Sequence, residues 1–424
     1  MTATSISATQ VASPAPAVDE VPLKTRLRRA ERRRKLAYLS LIAPLAIFLI
    51  VTFLWPIAAL LKRSIDNPEV VGALPATSAA VAHWDGQKLP DVRTFAALAR
   101  ELEAVRGTPA LAAAAKRFNV EFSGGRSLLM KTTRALPLDP TQDAREAITS
   151  IDARWGEVAT WQAFARASQP YTARYILAAL DHTVDADGNV IAASEDQAIY
   201  LDVLARTFGM SLVVTLCCLA LGFPLAYLLS TLPTRSSNLL MILVLLPFWT
   251  SILVRVASWI VLLQSGGLVN QALQALGLIN EPLQLVFNRF GVYISMTHIL
   301  LPFMVLPLYS VMKGISPIYL RAAQSLGCPP FQSFWKVYFP QTIPGVAAGS
   351  LLVFILSMGY YITPALLGSP KEQMASYFIA FYTNETINWG MAAALSTVLL
   401  AATLALYVVY SRYSGHGRSA NKGR

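Results

Sequence analysis

The chain is poor in charge. Of its 424 residues only 14% are Asp, Glu, Lys or Arg, while 54% are hydrophobic; a soluble chain of this length carries roughly a quarter charged residues. Acids are the scarcest: from Val203 onward only Glu281, Glu372 and Glu385 occur. Such a tract has no charged face to turn to water and reads as embedded in a membrane. Cysteine is scarce too. Cys217 and Cys218 lie in an apolar run, Cys328 in a polar loop, and none falls in residues 62–202, which excludes a disulfide framework there. Cys and His never cluster at ligand spacing, so no metal site is expected; His83, His182, His298 and His416 are scattered and suit solvated or packed roles. No GxxxxGKS or GxxxxGKT occurs. The chain lacks that loop for cradling ATP phosphates and does not read as an enzyme.

The net charge of +11 would suit nucleic acid, but its placement does not. Eight Lys and Arg crowd into KTRLRRAERRRK at 24–35, directly before an apolar run; a flank like this stays cytoplasmic, against anionic lipid. Residues 1–23, rich in Ala, Ser, Thr and Pro, have the composition of a disordered tail. The first apolar run, 36–61, is too long for a signal-peptide core. LKRSIDNPEV follows it rather than a small-residue cleavage site, so it is expected to stay as a span despite Pro44 and Pro56. Residues 62–202 carry mixed, nearly balanced charge and helical patterns such as TFAALARELEAV and RFNVEFSGGRSLLM, a mainly helical domain able to bury a small core. Apolar runs resume near 205–231, 238–264, 289–312, 345–367 and 388–411. That makes six spans, with SGGLVNQALQALGLINEPLQLVFN between the third and fourth too interrupted to be another.

Lys and Arg set the orientation. Arg235, Lys313, Arg321, Lys336, Arg412, Arg418, Lys422 and Arg424 fall on the side of the basic tail, while loops 265–288 and 368–387 hold all three late acids. The tails 1–35 and 412–424 and the loop 313–344 are then cytoplasmic, 62–202 is an extracytoplasmic insert, and 203–411 is a core of five spans.

Within 313–344 and running into the fifth span, residues 321–345 read RAAQSLGCPPFQSFWKVYFPQTIPG. Ala323 and Gly327 stand four apart, so on a continuing helix they share a face with Ala322 beside them. Small residues there let another backbone approach, and Gly327-Cys328-Pro329-Pro330 stops the helix. A second amphipathic piece, Phe331–Phe339, follows. Ala322, Ala323 and Gly327, then nine residues, then Val337, Phe339 and Pro340 resemble the EAA loop of ABC importer permeases, with Arg321 where that family has a leading Glu. LLPFWTSILVRVASWIVLLQSGGLVN (245–270), NEPLQLVF (280–287), ILLPFMVLPLYSVM (299–312), YYITPALLGSP (360–370) and WGMAAALS (389–396) are similar to permeases of the spermidine/putrescine type.

The resemblance implies an all-α membrane protein with the six transmembrane helices of the type I ABC importer permease fold. It implies a bacterial inner membrane location, both termini cytoplasmic, and alternating access for a small polar solute, a polyamine by preference, moving from periplasm to cytoplasm. This chain is expected to bind no cofactor. ATP and Mg²⁺ would sit on a dimer of partner ATPase subunits coupled through Arg321, Ala322, Ala323, Gly327, Phe339 and Pro340. A second, different permease subunit and an extracytoplasmic solute-binding protein would complete the assembly, with no nucleic acid. An opine, iron(III) or phosphonate compound is the alternative cargo. An ion-coupled secondary transporter is the alternative class, although the spans hold no Asp, Glu or Lys to couple an ion.

Two stretches are candidates for the translocation path or gate. Arg255, near the middle of the third span, bears a charge that costs about 2.5–3.5 kcal/mol at the bilayer centre. It either bonds carbonyls freed by Pro247 or faces a water-filled path, with Trp249 and Trp259 as rings for a cationic or amide solute. Tyr360, Tyr361, Thr363 and Pro364 mark a point where proline frees carbonyls within the fifth span; plain packing of the two tyrosines is the other reading. Some polyamine-type relatives carry an acid where Tyr360 stands.

Overall fold

The structure, a computed structural model, describes residues 23–139, 141–185 and 189–419. Residues 1–22 of the tail expected to be disordered lie outside the described residues, as do Lys422, Arg424 and the side chains of His416 and Arg418. The chain divides into two units, Met1–Ala59 and Leu60–Arg424. In the first, α1 (Leu23–Leu49) passes through a π-helical turn at Ile50–Leu54 into α2 (Trp55–Arg63). Pro44 sits inside α1 without ending it, and Ser40–Arg63 is long and apolar enough to cross a membrane.

The second unit opens with short helices: α3 (Pro68–Ala73), α4 (Pro75–Ala82), α5 (Val92–Ala104), α6 (Pro109–Glu121), α7 (Gly125–Ala135), α8 (Ala144–Ile151), α9 (Val158–Ala167) and α10 (Arg174–Ala179). Their starts are chemically marked. Asp91 accepts from the Thr94 amide to cap α5, and Asp143 from the Arg145 amide to cap α8. Their core is aromatic: Phe95, Phe118, Trp155, Trp161 and Phe164 are fully buried. Ring centroids lie 4.7 Å apart for Phe95–Trp161 and 5.2 Å for Trp155–Trp161. Each indole N–H is satisfied, Trp155 on Thr132 Oγ1 at 2.8 Å and Trp161 on the Trp155 carbonyl at 3.0 Å. RFNVEFSGGRSLLM, read as one helical pattern, is two helices, because Gly124 adopts φ +83° and turns the chain between α6 and α7.

Ionic contacts tie this domain together. Glu121 receives Arg117 at 2.9 Å, Arg174 at 3.1 Å and Arg166 at 3.6 Å, and the buried Arg117 also donates to Asn67 Oδ1 at 2.6 Å. One carboxylate gathers three guanidiniums from α6, α9 and α10, so removing it would strand buried positive charge. The hairpin β1 (His182–Val184) and β2 (Val190–Ala192) leads onward.

The membrane half comprises α11 (Tyr200–Thr231), α12 (Thr234–Leu245), α13 (Ile252–Leu263), α14 (Leu268–Ala275), α15 (Arg289–Lys313), α16 (Ile318–Ser325), α17 (Pro330–Ser333), α18 (Phe339–Met358), α19 (Ile362–Leu367), α20 (Ala375–Asn384) and α21 (Trp389–Ser419). Asp181, in a left-handed conformation at φ +56°, caps α11 from before the hairpin, accepting from the Tyr200 and Leu201 amides at 2.8 Å each. The span therefore starts at Tyr200, earlier than the expected 205. Among the described residues six helices are long and apolar enough to cross a membrane: Ser40–Arg63, Tyr200–Thr231, Ile252–Ala275, Arg289–Lys313, Pro330–Met358 and Trp389–Arg412. The all-α, six-helix fold class expected from the sequence is the one observed.

Two spans differ from expectation. The run 238–264 is not one helix: Pro247 falls in a 3₁₀ turn at Leu246–Trp249, Thr250 is extended, and the helix restarts as α13. The apolar stretch then continues through α14 into what was read as an outer loop. The expected fifth span 345–367 begins instead at Pro330, passes through a π-helical turn at Phe334–Tyr338, and ends at Met358. Pro364 lies in the first turn of the separate α19, where a missing N–H costs nothing.

α11, α15 and α18 form the core, and glycine sets how closely they approach. Met304 of α15 is fully buried. A Cβ added at Gly222 of α11 would stand 2.9 Å from it, and one at Gly349 of α18 would stand 2.8 Å away. Without a hydrophobic drive inside lipid, such small-residue contacts are what hold helices together. Gly349→Leu is expected to force α18 off α15 and lose monodisperse protein in detergent. Gly209→Ala, with nothing within 4 Å, is expected to be neutral or stabilising by up to about 1 kcal/mol. Size-exclusion profiles and melting curves of both variants check this; equal behaviour would refute the packing account.

Candidate functional site

The loop between α15 and α18 is built to be rigid and bare. α16 carries Arg321, Ala322 and Ala323, all but Ala323 exposed. Its end is closed by paired hydrogen bonds, Gly327 N–H to the Gln324 carbonyl and Cys328 N–H to the Ala323 carbonyl, each 3.0 Å. Gly327 takes φ +87°, the left-handed residue this closure needs. Gly327 thus lies past the end of α16 and does not share a helix face with Ala323, as the four-residue spacing had suggested. Leu326 projects at 89% exposure, and Phe331 and Ile318 are exposed as well. An apolar tip on a polar loop is a feature that pattern reading alone did not single out.

Below the tip an aromatic cluster fastens the loop to the core. Phe334 meets Tyr227 and Phe223 of α11 with centroids 5.6 and 6.3 Å apart, and Trp335 meets Phe339 at 4.9 Å. Tyr338 meets Tyr227 at 5.4 Å. Phe334 and Tyr338 both face α11, and the i, i+4 spacing of the pair was the signal available in the sequence. Phe339 is half-buried in this cluster, while Pro340 opens α18 and is exposed.

The second candidate region gathers where two spans are interrupted. Arg255 lies one turn into α13 and is half-buried. Among the described residues its side chain makes no hydrogen bond to a carbonyl freed by Pro247; the Pro247 carbonyl itself accepts from the Thr250 N–H at 3.3 Å and hydroxyl at 2.9 Å. Its buried Nε has no partner among the described residues. Arg255 shares α13 with Trp259, and α13 packs against α15, which carries His298, and against α19, which follows Tyr360. His298, which the sequence gave no reason to select, accepts a hydrogen bond at 3.2 Å from Trp259 Nε1 through its Nδ1. The Tyr360 carbonyl, freed by the break after α18, accepts from Ser376 Oγ at 2.9 Å. Thr363 is fully buried with an unpartnered hydroxyl, Pro364 is buried, and Tyr361 is partly exposed. The structure therefore sets α13, with Arg255 and Trp259, against α19 beside Tyr360, joins Trp259 to His298, and leaves Trp249 at 76% exposure.

The sequence pattern described as binding-protein-dependent transport system inner membrane component matches residues 218–414. The spermidine/putrescine transport system permease protein PotB of Escherichia coli (strain K12) is 36% identical over 216 residues, covering 51% of this chain and 78% of that protein. Its Haemophilus influenzae counterpart is 35% identical over 212 residues, covering 49% and 74%. Among solved structures, a bacterial alginate ABC transporter in complex with an alginate pentasaccharide-bound periplasmic protein aligns over 52% of this chain and 79% of its own, with 17% identity and a TM-score of 0.44. The matched pattern begins after α10 and leaves the insert outside it.

Replacing Gly327 by Ala is expected to cost the loop about 1–2 kcal/mol, because a Cβ strains the left-handed conformation. Hydrogen exchange should then quicken at the Cys328 amide and not in α15. Unchanged exchange over 318–328 would refute the closure as described.

Proposed function

Because the chain belongs to the family of inner membrane components of binding-protein-dependent transport systems, we propose that it is the permease subunit of an ATP-driven importer carrying a small organic cation of the polyamine class. Similarity to spermidine/putrescine transport system permeases supports the cargo, and the bare, closed α16 loop supports the drive. In this reading a dimer of ATPase subunits, holding ATP and Mg²⁺, grips Ala322, Ala323 and the Leu326–Gly327 tip, with Arg321 at the rim. Phe339 and Pro340 lie at the base. Closure of that dimer moves the loop, and the aromatic cluster passes the motion to α11 and α18, so that the spans rock between outward- and inward-open states. Both termini and the 313–344 loop are cytoplasmic, residues 62–202 are extracytoplasmic, and a second, different permease subunit and a solute-binding protein complete the importer.

The path runs past Arg255, Trp259, Tyr360, Tyr361, Thr363 and Pro364, and His298 joins them; Trp249 lines its rim. Trp259 and Tyr360 offer ring faces to an ammonium group, while Arg255 repels it and keeps the site shallow. An opine, iron(III) or phosphonate cargo is the competing reading within the same fold.

Uptake of labelled putrescine and spermidine by cells lacking this chain, with and without its return, tests the cargo; uptake restored only for a ferric chelate or an opine would refute it. Gly327→Val, which puts a β-branched residue at φ +87°, is expected to cut co-purification of the ATPase by about tenfold while leaving the chain inserted. Full ATPase recovery with the variant would refute the coupling role.

A further inference from the structure

Where the insert meets the last two helices there is a cavity of about 400 Å³ lined by residues that include Arg174, Tyr175, His182, Asp196, Tyr200 and Tyr382. It lies at the ends of the spans Tyr200–Thr231 and Trp389–Arg412, and Arg174, Tyr175, His182 and Asp196 fall outside the matched family pattern. Its walls are fixed. Tyr175 packs so tightly on Gly390 that a Cβ there would lie 2.5 Å from the ring. Tyr200 and Tyr382 hydrogen-bond through their hydroxyls, with ring centroids 6.5 Å apart.

The charges around the cavity are not balanced. Arg174 is already committed, donating to Glu121 at 3.1 Å and to the Val120 carbonyl at 3.0 Å. His182 Nδ1 contacts the Leu180 carbonyl at 2.6 Å; a carbonyl only accepts, so Nδ1 carries the proton and a neutral ring offers the Nε2 lone pair. Asp196 is exposed and has no ion-pair or hydrogen-bond partner for its carboxylate among the described residues. Three tyrosine rings, one unspent carboxylate and one imidazole lone pair in a space of this size suit a small cation with N–H donors.

Resting on the reading that the cargo is a small organic cation, we propose that this cavity is an extracytoplasmic binding site for that class of cation, with an ammonium group held between Asp196 and the faces of Tyr175, Tyr200 and Tyr382. It supplies an acid outside the proposed path. A cation released outside the membrane is retained there before it enters the path, and a second ammonium group, where present, reaches His182.

The test is calorimetric titration of the full chain in lipid nanodiscs with putrescine, with spermidine and with inorganic phosphate. Both amines are expected to bind in a salt-sensitive way, and phosphate is not. Asp196→Asn is expected to weaken amine binding by about tenfold or more, while Glu195→Gln, beside it but outside the cavity lining, leaves it unchanged. Equal loss in the two variants, unaltered affinity in Asp196→Asn, or phosphate binding that competes with the amines would overturn the site. Amine uptake by cells with no binding to the chain would also overturn it, while leaving the importer reading intact. Binding of the expected pattern without amine uptake would uphold the cavity and refute the cargo.

Discussion

A backbone carbonyl or amide stranded in hydrocarbon costs several kcal/mol, and that constraint governs where this chain can be anything other than helix. It breaks at 246–251 and again at 359–361, and each break is covered from within the protein. At the first, Thr250 turns back on the Pro247 carbonyl; at the second, Ser376 of α20 reaches the Tyr360 carbonyl. The two interruptions lie near each other, since α13 just after the first packs against α19 just after the second. The long helices α11, α15 and α18 pack on one another and form the core of the bundle. Their glycines let the helices close on Met304 without a gap. Irregular backbone and irregular chemistry therefore occur together because only a packed interior tolerates either.

The same rigidity explains why a small loop can matter to a large bundle. α16 is short and isolated, yet its end is fixed by two backbone bonds and its base by edge-on ring contacts to α11. Packed rings do not compress, so a force on the tip is transmitted rather than absorbed. In the proposed importer this is the mechanical requirement: a partner pressing on Leu326 and Ala322 must move helices, not merely bend a strand of loop. The segment 334–338 sets its aromatics against α11, and the α18 glycines that follow it face α15.

Much of this was legible in the sequence. Composition and charge asymmetry gave the spans, because lipid selects on length and polarity, which a sequence displays directly. The loop was legible because small residues and prolines have few other uses there. The failures share one cause. Gly327 was assigned to a helix face by counting residues, but four-residue spacing assumes the helix continues, and glycine at that point ended it through a left-handed turn. Span three was read through Pro247, and span five was read as starting late, because apolar content does not distinguish a helix from a 3₁₀ turn or an aromatic helix start. His298 escaped because its role comes from Trp259, 39 residues away in sequence, and no local pattern encodes that. The insert's aromatic core was expected only as a small core; which rings fill it depends on contacts across five helices.

Charge placement is the remaining organising choice. A carboxylate at the bilayer centre costs about 2.5–3.5 kcal/mol, and among the described residues the one carboxylate within a span, Asp202, lies in the first turn of α11 at its end. Its acids crowd instead into the insert and the loops beside it, where Asp181 caps α11, Glu121 gathers three arginines and Asp196 stands exposed. A cation on its way through the proposed path would meet strong attraction outside the membrane and only rings, hydroxyls and one opposing guanidinium within it. Conduction through any pore needs sites favourable enough to enter and weak enough to leave. Separating the carboxylate from the path meets both conditions at once: selection happens where a negative charge is solvated at little cost, and passage happens where nothing binds the cation tightly enough to hold it.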